Sequence, residues 1–220
     1  MSETLKYNHE NNGEKDYPYT QLHEVGEFFR EQCKDPLDAI ERTSAGIGVI
    51  ADIKPAGLVG FEYRPGSEEQ QEAFEANLRN MGINFIEQDT GGVYQHYFIS
   101  KDLETARALQ QAFLALWANN GTGNSSDGID ERLGHLLGYP ETAIQYAKSG
   151  KASAVDPLQK RPDTLMVHDP VHFEEEYSTY EQPIYDIMDK ACPDLTEALQ
   201  HDQKQKLGQR ILSFFKKARD

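Results

Sequence analysis

The sequence predicts an α+β fold in which a four-stranded antiparallel sheet, in the order ββαββα, is covered by helices and extended by helices at both ends. Short runs rich in β-branched and aromatic residues predict the strands, at 47–53, 58–63, 83–87 and 93–99. Two well-capped amphipathic segments follow the two strand pairs. The strand–strand–helix unit therefore occurs twice, with its helix starts about 35 residues apart.

The N-terminal elements precede this repeat. Residues 1–16 are polar and charged, so they do not repay the entropy of ordering, and we expect a flexible tail. From Tyr17 the apolar residues recur at helical spacing and predict a first helix. Asp35 and Pro36 resemble an N-cap followed by a first-turn proline, which predicts a second, short helix ending at Arg42.

The first helix of the repeat has clear end signals. Ser67 is suited to cap the first helix, and Gly82 is suited to end it in a left-handed conformation. The second helix is predicted over 102–117. With both helices on one side of the sheet, we expect the other sheet face to be open.

The last part of the chain, residues 119–220, divides into segments of different composition. A Gly-, Asn- and Ser-rich loop is predicted over 119–128, and a helical hairpin follows with helices at 129–137 and 140–149. We therefore expect one α+β domain over 17–150. An extended linker at 151–169 then leads to C-terminal helices over 170–220 that pack on this domain.

Composition narrows the possible functions. The chain has 220 residues and a net charge of −15, which disfavours a nucleic-acid partner because such affinity comes mainly from Lys and Arg. The longest apolar run, residues 112–118, is far shorter than a membrane span. Cys33 and Cys192 stand apart and indicate neither a disulfide framework nor a Cys-type zinc site. The sequence predicts a soluble cytoplasmic protein and no metal site, and it assigns no cofactor.

The helical hairpin carries the first group of candidate ligand-binding residues. Spacings of three and four place Arg132, His135 and Tyr139 on one side of a continued helix. Arg132 is suited to bind a carboxylate or phosphate, and His135 exchanges a proton near neutral pH. The alternative is a solvated polar face on an amphipathic helix.

The last predicted strand carries the second group. Alternation places Tyr94, His96 and Phe98 on one face of the strand and Tyr97 on the other. We expect the face with Tyr94, His96 and Phe98 to be the open face of the sheet. Two aromatic rings around one imidazole are typical of a ligand platform, with Tyr94 and His96 as the contacting residues. The alternative is packing against the C-terminal helices.

One short segment resembles a known family. The sequence LGHLLGYPETAIQYA, about fifteen residues from Leu133, is similar to the LG-x-LLGYP element of a family of uncharacterised archaeal proteins. In that family the element is usually followed by Glu and paired cysteines, where this chain has Thr142 and Ala143. The resemblance implies a shared helical hairpin and no particular reaction.

These observations predict a module that binds a small molecule, such as a small anion, or a protein partner. One alternative is an enzyme that performs acid/base chemistry on a small anionic substrate, with Arg132 as clamp, His135 or His96 as base and Tyr139 as hydrogen-bond donor. Another is an interaction protein that acts through the basic stretch 204–219 near the C-terminus.

Overall fold

The computed structural model of the chain describes residues 17–62, 66, 68–90, 94–119, 127–149 and 169–198. The predicted tail (1–16), nearly all of the predicted linker and the basic stretch 204–219 lie outside these residues. Among the described helices, none has both the length and the apolar character that a membrane crossing requires.

In the described part of the chain, helices precede the first strand, separate it from the second and follow the third. The helices are α1 (Tyr19–Gln32), α2 (Pro36–Ile50), α3 (Glu68–Asn80), α4 (Leu103–Asn119), α5 (Asp127–Leu136), α6 (Glu141–Lys148), α7 (Phe173–Glu176) and α8 (Gln182–Ala191). A π-helical turn, Tyr177–Glu181, joins α7 to α8, and residues 193–198 are also helical. The strands are β1 (Ala56–Glu62), β2 (Asn84–Thr90) and β3 (Tyr94–Ser100).

The sheet in the described residues has three strands, so the predicted four-stranded ββαββα sheet is wrong, although the α+β class is confirmed. The strands are antiparallel in the order β1-β3-β2, and His96 of β3 lies opposite Gly60 of β1 and Gln88 of β2. The predicted first strand, 47–53, is the end of α2 and the turn after it. The repeated strand–strand–helix unit therefore does not exist.

Helix α2 continues past Arg42 because its buried residues recur at helical spacing. Ile40, Thr43, Ile47 and Ile50 are all buried, and they occur three or four residues apart. The β propensity of Ile47–Ile50 is therefore overridden by tertiary packing. The helix ends in a Schellman motif, in which the N–H of Ile53 bonds to the carbonyl of Gly48 at 2.9 Å.

Helices cover both faces of the sheet, so the predicted open face is also wrong. On one face, Phe61 and Tyr97 pack with Phe28, Phe29 and Phe74 from α1 and α3 in a cluster of aromatic rings. Helix α8 joins this cluster through Ile184, Ile187 and Met188. On the other face, residues of α4 and α5 pack on Phe98, with Leu109, Ala112 and Leu133 buried among them.

Candidate ligand-binding site

The two predicted site residues of β3 lie on the face covered by α4. Tyr94 and His96 are adjacent on this face, with ring centroids 4.8 Å apart. The His96 ring also contacts two rings of α4, with its centroid 5.2 Å from that of Phe113 and 5.9 Å from that of Trp117. We call these four residues, Tyr94, His96, Phe113 and Trp117, the aromatic patch.

The aromatic patch is reachable from solvent. Trp117 is 50% exposed at the C-terminal end of α4, and Tyr94 and His96 are half-buried. The Trp117 ring contacts Phe113 at 5.4 Å, and Phe113 in turn contacts the buried Phe98. The patch is therefore an outward continuation of the core, with its largest ring at the surface.

A cation lies at the Tyr94 end of the patch. Arg42 of α2 donates a hydrogen bond from Nη2 to the Tyr94 hydroxyl at 2.8 Å, and its guanidinium lies 6.0 Å from the centre of the Tyr94 ring. Tyr94 packs closely over β1 because Gly60 has no side chain there. A carbon added at Gly60 would lie 2.6 Å from Cε1 of Tyr94. The contact between Arg42 and Tyr94 therefore joins α2 to the sheet face that α4 covers.

Burial and the Arg42 charge determine the protonation of the patch. Burial lowers the pKa of His96 below 6.5, and the nearby Arg42 charge lowers it further. His96 is therefore neutral at pH 7 and offers one donor and one acceptor. Burial raises the pKa of Tyr94, and the Arg42 charge opposes this rise.

The structure does not bring the hairpin candidates into one cluster. Arg132 and His135 are exposed on α5, and Nε2 of His135 lies 3.5 Å from a carboxylate oxygen of Glu141. Helix α5 ends at Leu136, and Gly138 adopts a left-handed conformation with φ of 75°. The helical spacing therefore stops before Tyr139, which is half-buried.

The environment of Tyr139 differs from that of His135. Burial raises the pKa of the Tyr139 hydroxyl, and the charges of Glu181 and Glu41 raise it further. Within the described part of the chain, His96 and His135 have no ring or polar neighbour in common. The convergence of the two imidazoles that the enzyme hypothesis needs is therefore not observed.

Sequence reasoning missed Phe113 and Trp117 of the patch and Arg42 beside it. The spacing of four between Phe113 and Trp117 was a signal for a shared helix face, but it carries no information about which sheet face α4 crosses. The position of Arg42 depends on α2 continuing past it and packing beside β1, whereas the sequence predicted a short helix that ends at Arg42.

Comparison with known proteins adds no assignment: no family model matches the chain, and neither a curated protein nor a solved structure matches it significantly. The resemblance of the segment from Leu133 to an archaeal family therefore stays a prediction.

Proposed function

We propose that the chain is a small-molecule binding protein whose site is the aromatic patch. The ligand is a planar aromatic molecule with a negatively charged group. Its ring stacks against Trp117 and His96, and its negative charge faces Arg42. The observation that carries this proposal is the half-exposed Trp117 in ring contact with His96.

The chemistry of the patch supports this ligand class. Aromatic side chains attract planar rings in stacked or edge-to-face geometries, and Trp and Arg together are enriched at binding hot spots. Arg42 is the cation beside the patch, and Tyr94 holds its guanidinium by a hydrogen bond. Neutral His96 adds a hydrogen-bonding group without adding charge. A cytoplasmic location and the absence of a nucleic-acid partner remain predictions from the sequence.

The test uses 8-anilinonaphthalene-1-sulfonate, an anion with a planar naphthalene ring whose emission rises on binding. Because the chain contains a single tryptophan, energy transfer under excitation that is selective for tryptophan originates at Trp117. We expect saturable binding with transfer. Trp117→Ala should raise the Kd, measured by direct excitation of the probe, about tenfold.

Leu103→Ala is the matched control, because Leu103 is a similarly exposed apolar residue at the opposite end of α4. This variant should leave the Kd unchanged. Arg42→Gln should weaken binding and reduce its dependence on salt, since a charge contact is lost. Equal affinities for the wild-type chain and Trp117→Ala, or equal losses in Trp117→Ala and Leu103→Ala, would refute the proposed site. If only a protein, and no small aromatic anion, binds at the patch, the proposed ligand class is wrong.

A further inference from the structure

Strand β2 lies at one edge of the three-stranded sheet. On its inner side it pairs with β3 in a continuous antiparallel register from Asn84 to Thr90. Within the described part of the chain, the backbone of residues 84–88 forms hydrogen bonds with β3 and with no other strand. Because the backbone groups of a strand alternate in direction, every second residue of this stretch directs its N–H and C=O groups away from the sheet.

Strand β2 has few of the features that protect an edge from other strands. Proteins commonly block an edge with a proline, a lysine, a β-bulge or a very short strand. The seven residues of β2, NFIEQDT, include no proline or lysine, and their pairing with β3 has no bulge. The charged residues of the strand are Glu87 and Asp89, and they repel acidic segments only. The outer side of residues 84–88 is therefore suited to pair with an additional strand that is not acidic.

Two apolar side chains of β2 keep part of their surface exposed at this edge. Phe85 and Ile86 are both half-buried, and they point to opposite faces of the sheet. Phe85 lies on the face that α3 covers, where the Arg79 guanidinium is 4.8 Å from the centre of its ring. Ile86 lies on the face that α4 covers, against the apolar residues around Phe98. An extended segment beside β2 would cover both residues with its own alternating side chains.

Glu87 determines which charge a partner strand should carry. The exposed carboxylate accepts hydrogen bonds from the side-chain amides of Gln71, at 3.2 Å, and of Gln95. Within the described residues no lysine or arginine forms an ion pair with Glu87, and the nearby Arg79 is paired with Glu75 at 2.8 Å. A lysine or arginine directly across from Glu87 would therefore form a favourable cross-strand pair. The net charge of −15 also favours a basic partner, and it disfavours a second copy of the chain.

We propose that the β2 edge, the outer side of residues 84–88, binds an extended basic peptide of a partner protein as an added strand. The peptide forms hydrogen bonds with the outward backbone groups of β2. It places apolar residues beside Phe85 and Ile86, and a lysine or arginine beside Glu87. In this mode of recognition the main-chain hydrogen bonds supply affinity and the alternating side chains supply specificity. The β2 edge shares no residue with the aromatic patch.

The test uses the full chain, labelled with ¹⁵N, and the synthetic peptide acetyl-GTKVVTG-amide. In an antiparallel pair, the lysine of this peptide lies beside Glu87 and its two valines lie beside Ile86 and Phe85. Amide hydrogen exchange is followed by NMR at each residue of β2. In the free chain, fast and slow exchange should alternate along 84–88, because every second N–H is bonded to β3. With the peptide at ten times its Kd, the fast amides should exchange about tenfold more slowly.

Two N-methylated forms of the peptide are the matched controls. One is methylated at the lysine and the second valine, and the other at the first valine and the second threonine. Successive N–H groups of a strand point to opposite sides, so only one of these two sets faces β2. That form should bind about tenfold or more weakly than the parent peptide, and the other form should bind as the parent does. Equal affinities of the two forms overturn the proposal, because the peptide backbone would then not pair with β2.

Glu87→Gln tests the charge of the partner. The substitution removes the charge and keeps an oxygen that can accept from the amides of Gln71 and Gln95. The affinity for the parent peptide should therefore fall about two- to fivefold. The affinity for a peptide with threonine in place of the lysine should stay unchanged. An equal effect of Glu87→Gln on the two peptides overturns the basic character of the partner.

The exchange data also distinguish other occupants of the β2 edge. Slow exchange at all of residues 84–88 in the free chain would mean that another part of the chain already pairs with the edge, and it would overturn the proposal. Protection that increases with protein concentration in the absence of peptide would identify a second copy as the occupant and would also overturn it. Exchange that stays unchanged with the parent peptide in millimolar excess would show that the edge does not accept a strand.

Discussion

Replacing Gly138 with alanine tests the contact between the turn after α5 and the turn after α2. Gly138 has φ of 75°, a conformation that costs a residue with a side chain about 1 kcal/mol. The added carbon would also lie 3.1 Å from Cα of Lys54 and from Cδ of Pro55. Relief of this crowding requires a movement of backbone, which costs a further ~1–3 kcal/mol. We therefore expect Gly138→Ala to lower the free energy of unfolding by ~2–4 kcal/mol.

Gly82 supplies a matched control. It ends α3 in the same Schellman geometry, with φ of 72°, but an added carbon there would have nothing within 4 Å. Gly82→Ala should therefore cost only the conformational term, about 1 kcal/mol. The difference between the two variants measures the contact of Gly138 with the 54–55 turn.

The assay is urea unfolding followed by circular dichroism, with thermal unfolding as a second measure. For a chain of this length, each kcal/mol shifts the Tm by about 2–4 °C. Gly138→Ala should melt several degrees below Gly82→Ala. Equal losses in the two variants would refute the reasoning, because they would mean that the turns after α5 and α2 do not press against each other.

Three further predictions concern single positions. The folded-state pKa of Lys54, about 8, lies below its unfolded value, so the unfolded chain holds the extra proton between pH 8 and 10.5. The free energy of unfolding of the wild-type chain, relative to that of Lys54→Met, should therefore rise by at most about 3 kcal/mol over this pH range. If urea unfolding shows no change in this difference with pH, the burial of the amine is contradicted. Gly26→Ala should cost about 3 kcal/mol because the added carbon would lie 2.3 Å from Sγ of Cys192, and Cys192→Ala should recover much of that loss in a double-mutant cycle. Asp52 ends α2 at φ of 61°, so Asp52→Gly should be about 1 kcal/mol more stable than Asp52→Ala, and equal Tm values would show that the turn relaxes.

Local sequence patterns predicted the helices that end at a glycine. Gly82 ends α3 in a left-handed conformation, as predicted, and Gly138 ends α5 in the same conformation. The part of α2 after Arg42 was missed because the residue at its C-terminal stop is Asp52, which does not resemble a helix stop in sequence. The run Gly46–Ile50 has strand-like composition, and only its packing against α1, α8 and β1 makes it helical.

The candidate site was also predicted only as far as local sequence patterns allow. Alternation along β3 places Tyr94 and His96 on one face, and the structure has them in ring contact. Arg42 lies on α2, before β1, and Trp117 lies near the end of α4, the helix that follows β3. The proximity of both residues to Tyr94 and His96 therefore depends on which sheet face each helix covers. The hydrophobic periodicity of a single sequence does not determine which face of the sheet a helix covers.

The error at α2 also explains why the burial of Lys54 was overlooked. Between two predicted strands, Lys54 would be an exposed residue of a hairpin turn, where a lysine needs no explanation. The Schellman motif at Asp52 instead reverses the chain against the end of its own helix, so that Lys54 lies over Gly48 and its N–H bonds to the Gly48 carbonyl at 2.9 Å. A charged side chain in that position loses hydration without gaining a hydrogen bond within the described residues. Such a loss of hydration disfavours the charged form of the side chain, which is why the pKa of Lys54 is lowered to about 8.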